Sequence, residues 1–205
     1  MSYLYNLLQQ FFAFLLTTTD KYVGNFGISI IIVTILIKIA LLPLTLKQDK
    51  SMKEMKKLQP EIEKIKAKYS NDKQMLNIKT IELYKEHKVN PMGGCLPLLI
   101  QFPILIALFG VLRNGIIPQD SSFLWLELSD KDPYYILPVL NGAVSFFQQK
   151  LMGTSDNPQM KNMMYIFPIM MIYISYRMPS GLQLYWLTSS ILAVVQQYFI
   201  MKKGA

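Results

Sequence analysis

The sequence predicts an all-α integral membrane protein: five transmembrane helices, a cytoplasmic helical hairpin and an N-terminal interfacial helix. Three observations carry this. Hydrophobic residues make up 52% of the 205-residue chain and charged residues 17%, a balance that suits lipid better than water as the main solvent. The apolar residues gather into five runs that approach the ~20 residues needed to cross a hydrocarbon core. The net charge of +8 lies almost entirely outside those runs, so its distribution can set which side of a membrane each connection occupies.

The chain divides into 1–26, 27–46, 47–90 and 91–205. In the first part, Tyr3 to Leu16 (YLYNLLQQFFAFLL) is apolar but interrupted by Asn6, Gln9 and Gln10. It lacks the basic leader and small-residue cleavage site of a signal peptide. It reads as an amphipathic helix lying in the interface, with a sixth span as the alternative. Ile28 to Leu46 (ISIIIVTILIKIALLPLTL) is the first span and carries one charge. Cys95 to Leu112, Tyr134 to Gln149, Met163 to Tyr176 and Leu182 to Met201 are the other four. The third and fourth runs, at 16 and 14 residues, rise only about 24 and 21 Å, which predicts a thinned or wet bilayer beside them. Arg177-Met178-Pro179-Ser180-Gly181 is a turn composition too short to leave the membrane surface. Prolines 43, 97, 103, 138 and 168 interrupt four of the five spans and predict loosened packing there. Met152, Met160, Met163, Met164, Met170 and Met171 offer soft, adaptable contacts or ordinary membrane filler.

Counting Lys and Arg fixes an orientation. Lys47 to Lys88 holds twelve, the link Lys150 to Lys161 two and the tail two, against four in the alternate connections, namely Lys21, Arg113, Lys131 and Arg177. Sixteen against four places the amino end and the loop Asn114 to Pro133 outside, and the long basic segment and carboxyl tail in the cytoplasm. Within that segment Met52, Met55, Gln59, Ile62, Ile65 and Tyr69, then Met75, Ile78, Ile81 and Tyr84 after the turn Ser70-Asn71-Asp72, recur every three to four residues. The spacing predicts two antiparallel amphipathic helices whose stripes cover each other. Lys53, Lys56, Lys57, Lys64 and Lys68 stay hydrated, either as a plain solvated face or as a docking surface for lipid head groups, ribosomal RNA or acidic client segments. Lysine without arginine or interleaved aromatics argues against sequence-specific RNA reading.

One charge lies inside a span. Lys38 is nine residues from Lys47, roughly 13 Å of helix, more than the ~6 Å reach of its side chain. A charge at that depth costs at least ~2.5 kcal/mol, and the five spans contain no Asp or Glu to pair with it. Lys38 is therefore either tied to carbonyls and polar neighbours such as Thr34, Gln101, Asn141, Ser145 or Gln148 in a packed bundle, or it faces a hydrated groove and attracts the polar parts of a passing chain. An ion transporter fits poorly, lacking acidic relays and internal repeats. An intramembrane hydrolase fits worse, for the spans hold no Ser-His, paired-Asp or zinc-ligand constellation. The lone Cys95 cannot form an internal disulfide, and His87 in the charged stretch Tyr84 to Lys88 reads as a solvated surface residue. No catalytic residue, metal or cofactor is expected.

Several runs in fixed order carry a resemblance: GISIIIVTILIKIALLPLTLKQ at Gly27 to Gln48, LQPEIEKIKAKY at Leu58 to Tyr69, ELYKEHKVNPMGGCLPLLIQFPI at Glu82 to Ile104, DPYYILP at Asp132 to Pro138 and PSGLQLYW at Pro179 to Trp186. Over nearly the whole chain the sequence resembles the YidC family of membrane protein insertases, which includes mitochondrial and chloroplast relatives. The resemblance implies a bacterial plasma-membrane protein that inserts small membrane proteins alone and larger ones with the Sec translocon, in contact with ribosomes, using neither nucleotide nor metal. It implies five spans around a hydrophilic groove open to cytoplasm and lipid. Where the family commonly carries an arginine this chain has Lys38, which keeps the charge but loses the guanidinium fork. The resemblance also implies an apolar client-contacting slide on the first, second and fifth spans, and carries to this sequence Thr34, Phe102, Leu105, Trp186 and, less directly, Tyr176. The outer domain that some members place before the core has no counterpart in these 205 residues.

Overall fold

The computed structural model describes residues 2–87, 96–118, 120–151 and 158–202. Within them lie α1 (Ser2–Val23), α2 (Phe26–Lys57), α3 (Gln59–Lys68), α4 (Lys73–Glu86), α5 (Leu96–Arg113), a short hairpin of β1 (Ser122–Phe123) and β2 (Leu126–Glu127), α6 (Ile136–Leu151), α7 (Pro158–Arg177) and α8 (Ser180–Lys202). Cys95, the expected start of the second span, the 90/91 boundary and Met152 fall outside the described residues. By length and composition, one helix among the described residues suffices to cross a membrane unaided: α2 over Phe26–Gln48, with mean hydropathy 2.5 and 28% of its most apolar stretch buried inside the molecule.

The helices form a bundle in which α6 packs on α7 and α8, α8 on α2, and α1 on both α2 and α5. The main core joins Phe12 and Leu16 of α1, Ile30 and Val33 of α2, Leu108 and Val111 of α5, and Leu182 and Tyr185 of α8. These positions are the C-terminal halves of α1 and α5 and the N-terminal starts of α2 and α8. All converge on the end of the bundle that carries the β-hairpin, and tight packing is concentrated there. Leu126, Leu137 and Leu187 form a second buried group beside it.

Hydrogen bonds lock this end shut. Ser180 donates through its amide (2.6 Å) and hydroxyl (2.7 Å) to the Asp130 carbonyl, and the Gly181 amide donates to the Leu128 carbonyl at 2.9 Å. Gly181 has to be small, since a Cβ there would stand 3.1 Å from that carbonyl oxygen. The buried Asp132 carboxylate accepts from the Trp125 indole (3.1 Å), the Tyr134 amide (3.1 Å) and the first-turn Leu137 amide of α6 (2.6 Å), which satisfies amides that a helix start leaves without partners. The reversal between β1 and β2 is only Leu124-Trp125, and Leu124 adopts a left-handed φ of 57°, a conformation that costs a non-glycine residue about 1–2 kcal/mol.

Several expectations need correction. The first apolar span, Phe26–Gln48, ends close to the expected Leu46, but the helix that carries it does not stop there: α2 runs on through Pro43 to Lys57, so the hairpin consists of the shorter α3 and α4. Prolines 43, 103 and 168 sit inside continuous helices, while Pro97 and Pro138 occupy first turns, where a missing amide hydrogen costs nothing. α1 is 22 residues long and buries Gln9, Phe12 and Leu16 against α2 and α5, while Leu7, Phe11 and Phe14 face outward. α6 keeps the expected 16 residues, whereas α7 extends to 20 because Pro158 to Asn162 add a polar first turn ahead of the apolar run. Met164 and Met171 are packing residues and Met170 is exposed; the side chains of Met160 and Met163 lie outside the described residues.

The hairpin also packs differently from expectation. Leu58, Ile62 and Leu83 are buried, with Ile65 and Tyr84 against them, but Met75, Ile78 and Ile81 are exposed. Burial pushes the Tyr84 hydroxyl pKa up. Asp72 starts α4 by accepting from the Gln74 and Met75 amides, which agrees with the expected turn. The hydrogen bond that Lys79 Nζ donates to Glu82 at 2.6 Å, together with the carboxylate's charge, raises the Lys79 pKa at the surface.

Candidate functional site

Beyond Thr34 the tight packing of α2 gives way. Ile35, Lys38, Ile39, Leu42 and Leu46 fall on one helical face and, with Leu192, Val195, Gln196 and Phe199 of α8, line a cleft of about 360 Å³. The spacing of three, four and seven residues makes this a single stripe. Lys38 is half-buried within it. Polar contact joins the two helices at this level, where the Gln196 amide donates to Thr45 Oγ1 at 2.9 Å. Apart from Lys38 and Gln196, the described lining is apolar.

The residues expected to form a polar lining separate into two places, neither of them this cleft. Gln101 Nε2 donates to the Tyr185 hydroxyl at 2.6 Å and Gln101 Oε1 accepts from Ser189 at 3.4 Å, linking α5 to α8. Thr34 is buried and donates to the Ile30 carbonyl of its own helix at 2.6 Å. Asn141 and Ser145 are buried on α6, where Asn141 Nδ2 donates to the Gln183 carbonyl at 3.3 Å and so joins α6 to α8. Gln148 lies half-buried farther along α6. Gln101 and Asn141 thus join helices, whereas Thr34 bonds within its own helix.

Among the residues expected on the apolar slide, Phe102 is exposed on α5, and Leu105 is half-buried against the main core. Trp186 is half-buried on α8. Tyr176 is exposed at the far end of α7, stacked on Tyr135 with centroids 5.4 Å apart. Exposed apolar side chains continue along α2 (Leu36, Ile39), α5 (Ile106, Phe109) and α8 (Ile191, Val195, Phe199). On the hairpin Lys57, Lys64 and Lys68 are exposed and Lys53 is half-buried; the Lys56 side chain lies outside the described residues. Among the described residues no three His, Cys, Asp or Glu side chains converge to hold a metal ion.

Sequence reasoning missed Gln196, Tyr185, Ser189 and Asp132. Asp132 carried a signal, a carboxylate followed by proline just before an apolar helical run. Gln196 carried none, since a glutamine near the end of a span is equally at home in an interface.

The family described as 60Kd inner membrane protein matches residues 18–205. The membrane protein insertase YidC of Fusobacterium nucleatum is 85% identical over 205 residues, which is all of both chains. The chain belongs to the YidC family. Insertases of that name from Syntrophus aciditrophicus and Geobacter sp. strain M21 are 49% and 46% identical over 90% and 89% of this chain. This YidC-family chain spans 34% of the length of each of those two relatives. A crystal structure described as active YidC insertase with the first transmembrane domain resolved superposes with a TM-score of 0.75 at 32% identity, covering 97% of this chain and 46% of that one. The expected family is thus established, and the helical bundle described above is similar to that of the YidC insertase structure.

Proposed function

We propose that this chain inserts other membrane proteins into the bilayer by passing their polar flanks along the Lys38 cleft and releasing their apolar helices sideways into lipid. The observation that carries the reading is the asymmetry of the bundle. One end is packed and latched by Asp130, Asp132, Ser180 and Gly181, whereas the stretch of α2 beyond Thr34 borders an open apolar cleft whose one charged group is Lys38. α2, α5, α6, α7 and α8 are the five spans. By the distribution of Lys and Arg, the latched end faces outward and the hairpin of α3 and α4 lies in the cytoplasm.

The mechanism needs no covalent step and no nucleotide. A client helix of ~20 apolar residues gains free energy on entering lipid, but its polar flank has to cross a low-dielectric layer. A positive centre partway through that layer shortens the unsolvated path and attracts acidic flanks. At 4 Å and an effective dielectric constant of about 40, halfway between a protein surface and water, the attraction is about 2 kcal/mol. The 16-residue α6, about 24 Å long, favours a thinner bilayer beside it. Exposed apolar side chains of α2, α5 and α8, Phe102 among them, receive the emerging helix. The exposed lysines of the hairpin supply the surface on which ribosome, Sec translocon or acidic client segments dock.

Photoreactive residues placed at Leu42 and Val195, which line the cleft, and at the core position Leu108 test this in reconstituted vesicles. Capture of a single-span client from the first two and not from the third is expected. Equal capture from all three, or none from the cleft while insertion proceeds, would refute the proposed path.

A further inference from the structure

A second cleft, of about 400 Å³, lies between α6 and α7 at the latched end, with Tyr135, Pro138, Val139, Ile169, Ile172 and Tyr173 among its lining residues. It is separate in sequence and position from the Lys38 cleft on α2 and α8. Its mouth is aromatic and basic. Lys131 Nζ sits 5.5 Å from the centroid of the Tyr176 ring, and Arg177 Cζ sits 5.2 Å from that of Tyr173. Tyr173 and Tyr176 are three residues apart on α7 and therefore adjacent on its surface, so both cations stand over neighbouring rings. Tyr135, stacked on Tyr176, holds a left-handed φ of 57°, a strained conformation that persists where its surroundings fix it. Here the Asp132 network does so.

This end of the molecule has few cations. Of the four basic residues in the connections assigned to the outside, two, Lys131 and Arg177, meet at this one mouth. The Asp132 carboxylate is buried and turned onto α6 and Trp125, so it is not offered to a ligand at the mouth, while Asp130, next to Lys131 in the chain, is exposed. Below the mouth the walls are apolar: Val139 and Ile169 are largely exposed to whatever surrounds the bundle. Tyrosines with Lys and Arg at the head-group level, above an apolar slot, match the two ends of a phospholipid.

We propose that the α6–α7 cleft is a binding site for an anionic phospholipid, its phosphate held by Lys131 and Arg177 and its acyl chain seated along Pro138, Val139, Ile169 and Ile172. The proposal rests on the reading that the latched end meets the membrane surface. It also gives Tyr176 a different role from client contact.

Native mass spectrometry of the purified protein in detergent containing equal phosphatidylglycerol and phosphatidylcholine tests it. Wild type is expected to retain phosphatidylglycerol over phosphatidylcholine by about tenfold, the scale of one to two basic residues at an anionic surface. Lys131→Gln/Arg177→Gln should bring the ratio close to one, Lys131→Arg/Arg177→Lys should keep it, and Val139→Trp, which fills the slot, should lower retention of both lipids. No preference in wild type, or a preference that survives the Gln pair in a protein with wild-type unfolding midpoint, overturns the proposal. So does capture of a client helix, rather than lipid, by a photoreactive residue at 139. Client insertion measured on the same wild-type preparation separates the two readings: insertion without lipid preference sinks this site alone, and lipid preference without insertion sinks the insertase mechanism alone.

Discussion

Replacing Asp132 with alanine removes one carboxylate and three hydrogen bonds at once, at 3.1 Å from the Trp125 indole, 3.1 Å from the Tyr134 amide and 2.6 Å from the Leu137 amide. Hydrogen bonds to a charged group are worth about 1.5–3 kcal/mol each, and loss of a capping side chain alone costs about 1 kcal/mol. The Tyr134 amide lies toward the surface and can turn to solvent. The Leu137 amide is buried and cannot. Summing the two less accessible donors gives a destabilisation of about 3–6 kcal/mol for Asp132→Ala. Asp132→Asn keeps one acceptor oxygen in nearly the same shape and should cost about 1–2 kcal/mol. Trp125→Phe removes a single donor and should cost less than Asp132→Ala. Unfolding of the purified protein in mild detergent, titrated with dodecyl sulfate and followed by circular dichroism, gives the ordering. A midpoint for Asp132→Ala that corresponds to less than about 0.5 kcal/mol would show that the carboxylate does not hold the hairpin to α6, and the latched end would lose its main support.

Other substitutions probe separate contacts. A Cβ on Gly27 would overlap the base of the Phe123 side chain, its Cβ included, so Gly27→Ala should cost about 1–3 kcal/mol and the addition of Phe123→Gly, which removes that Cβ, should relieve the overlap in the same unfolding assay. Gln196→Leu leaves Thr45 without its cross-helix partner and should cost about 1–2 kcal/mol, with Thr45→Val/Gln196→Leu costing less than the two single changes added. Ile62→Ala should cost about 2–5 kcal/mol in local stability of the α3–α4 hairpin, read by hydrogen exchange of those two helices. Serine at exposed Met75, Ile78 and Ile81 should change it by no more than about 0.5 kcal/mol at each position.

That last pair bears on what the sequence discloses. The helices themselves were legible, because long apolar runs bounded by lysine clusters have few other solutions. The register of the hairpin was not. Met75, Ile78, Ile81 and Tyr84 step by three residues, or 300° of helix rotation, so each lags its predecessor by about 60° and Tyr84 ends on the opposite side from Met75. The buried Leu83 and half-buried Leu76 and Thr80 follow the true period, and only ten residues of α3 are available to cover them. The extension of α2 was hidden for a related reason. The apolar run stops at Leu46, but nothing in Lys47 to Lys57 breaks a helix, so the backbone continues after the hydrophobicity ends.

The site divides in the same manner. Lys38 stood out because a charge in an apolar run is rare enough to need a cause. Its polar companions did not follow: Gln101, Asn141 and Ser145 are polar residues within spans, yet a sequence does not say which neighbour each will meet. Gln101 meets Tyr185 and Ser189, and Asn141 meets Gln183, across helix interfaces. The cleft wall was instead set by how α2 and α8 meet beyond Thr34, a property of packing between segments about 150 residues apart.

The most direct test of the central claim is insertion of a small single-span client with an acidic outer tail into liposomes containing wild type, Lys38→Arg or Lys38→Ala. An attraction of about 2 kcal/mol predicts a fall of roughly 30-fold in insertion rate for Lys38→Ala, with Lys38→Arg near wild type because the charge is kept. If a folded Lys38→Ala protein inserts the client at the wild-type rate, the positive centre plays no part and the proposed mechanism is wrong.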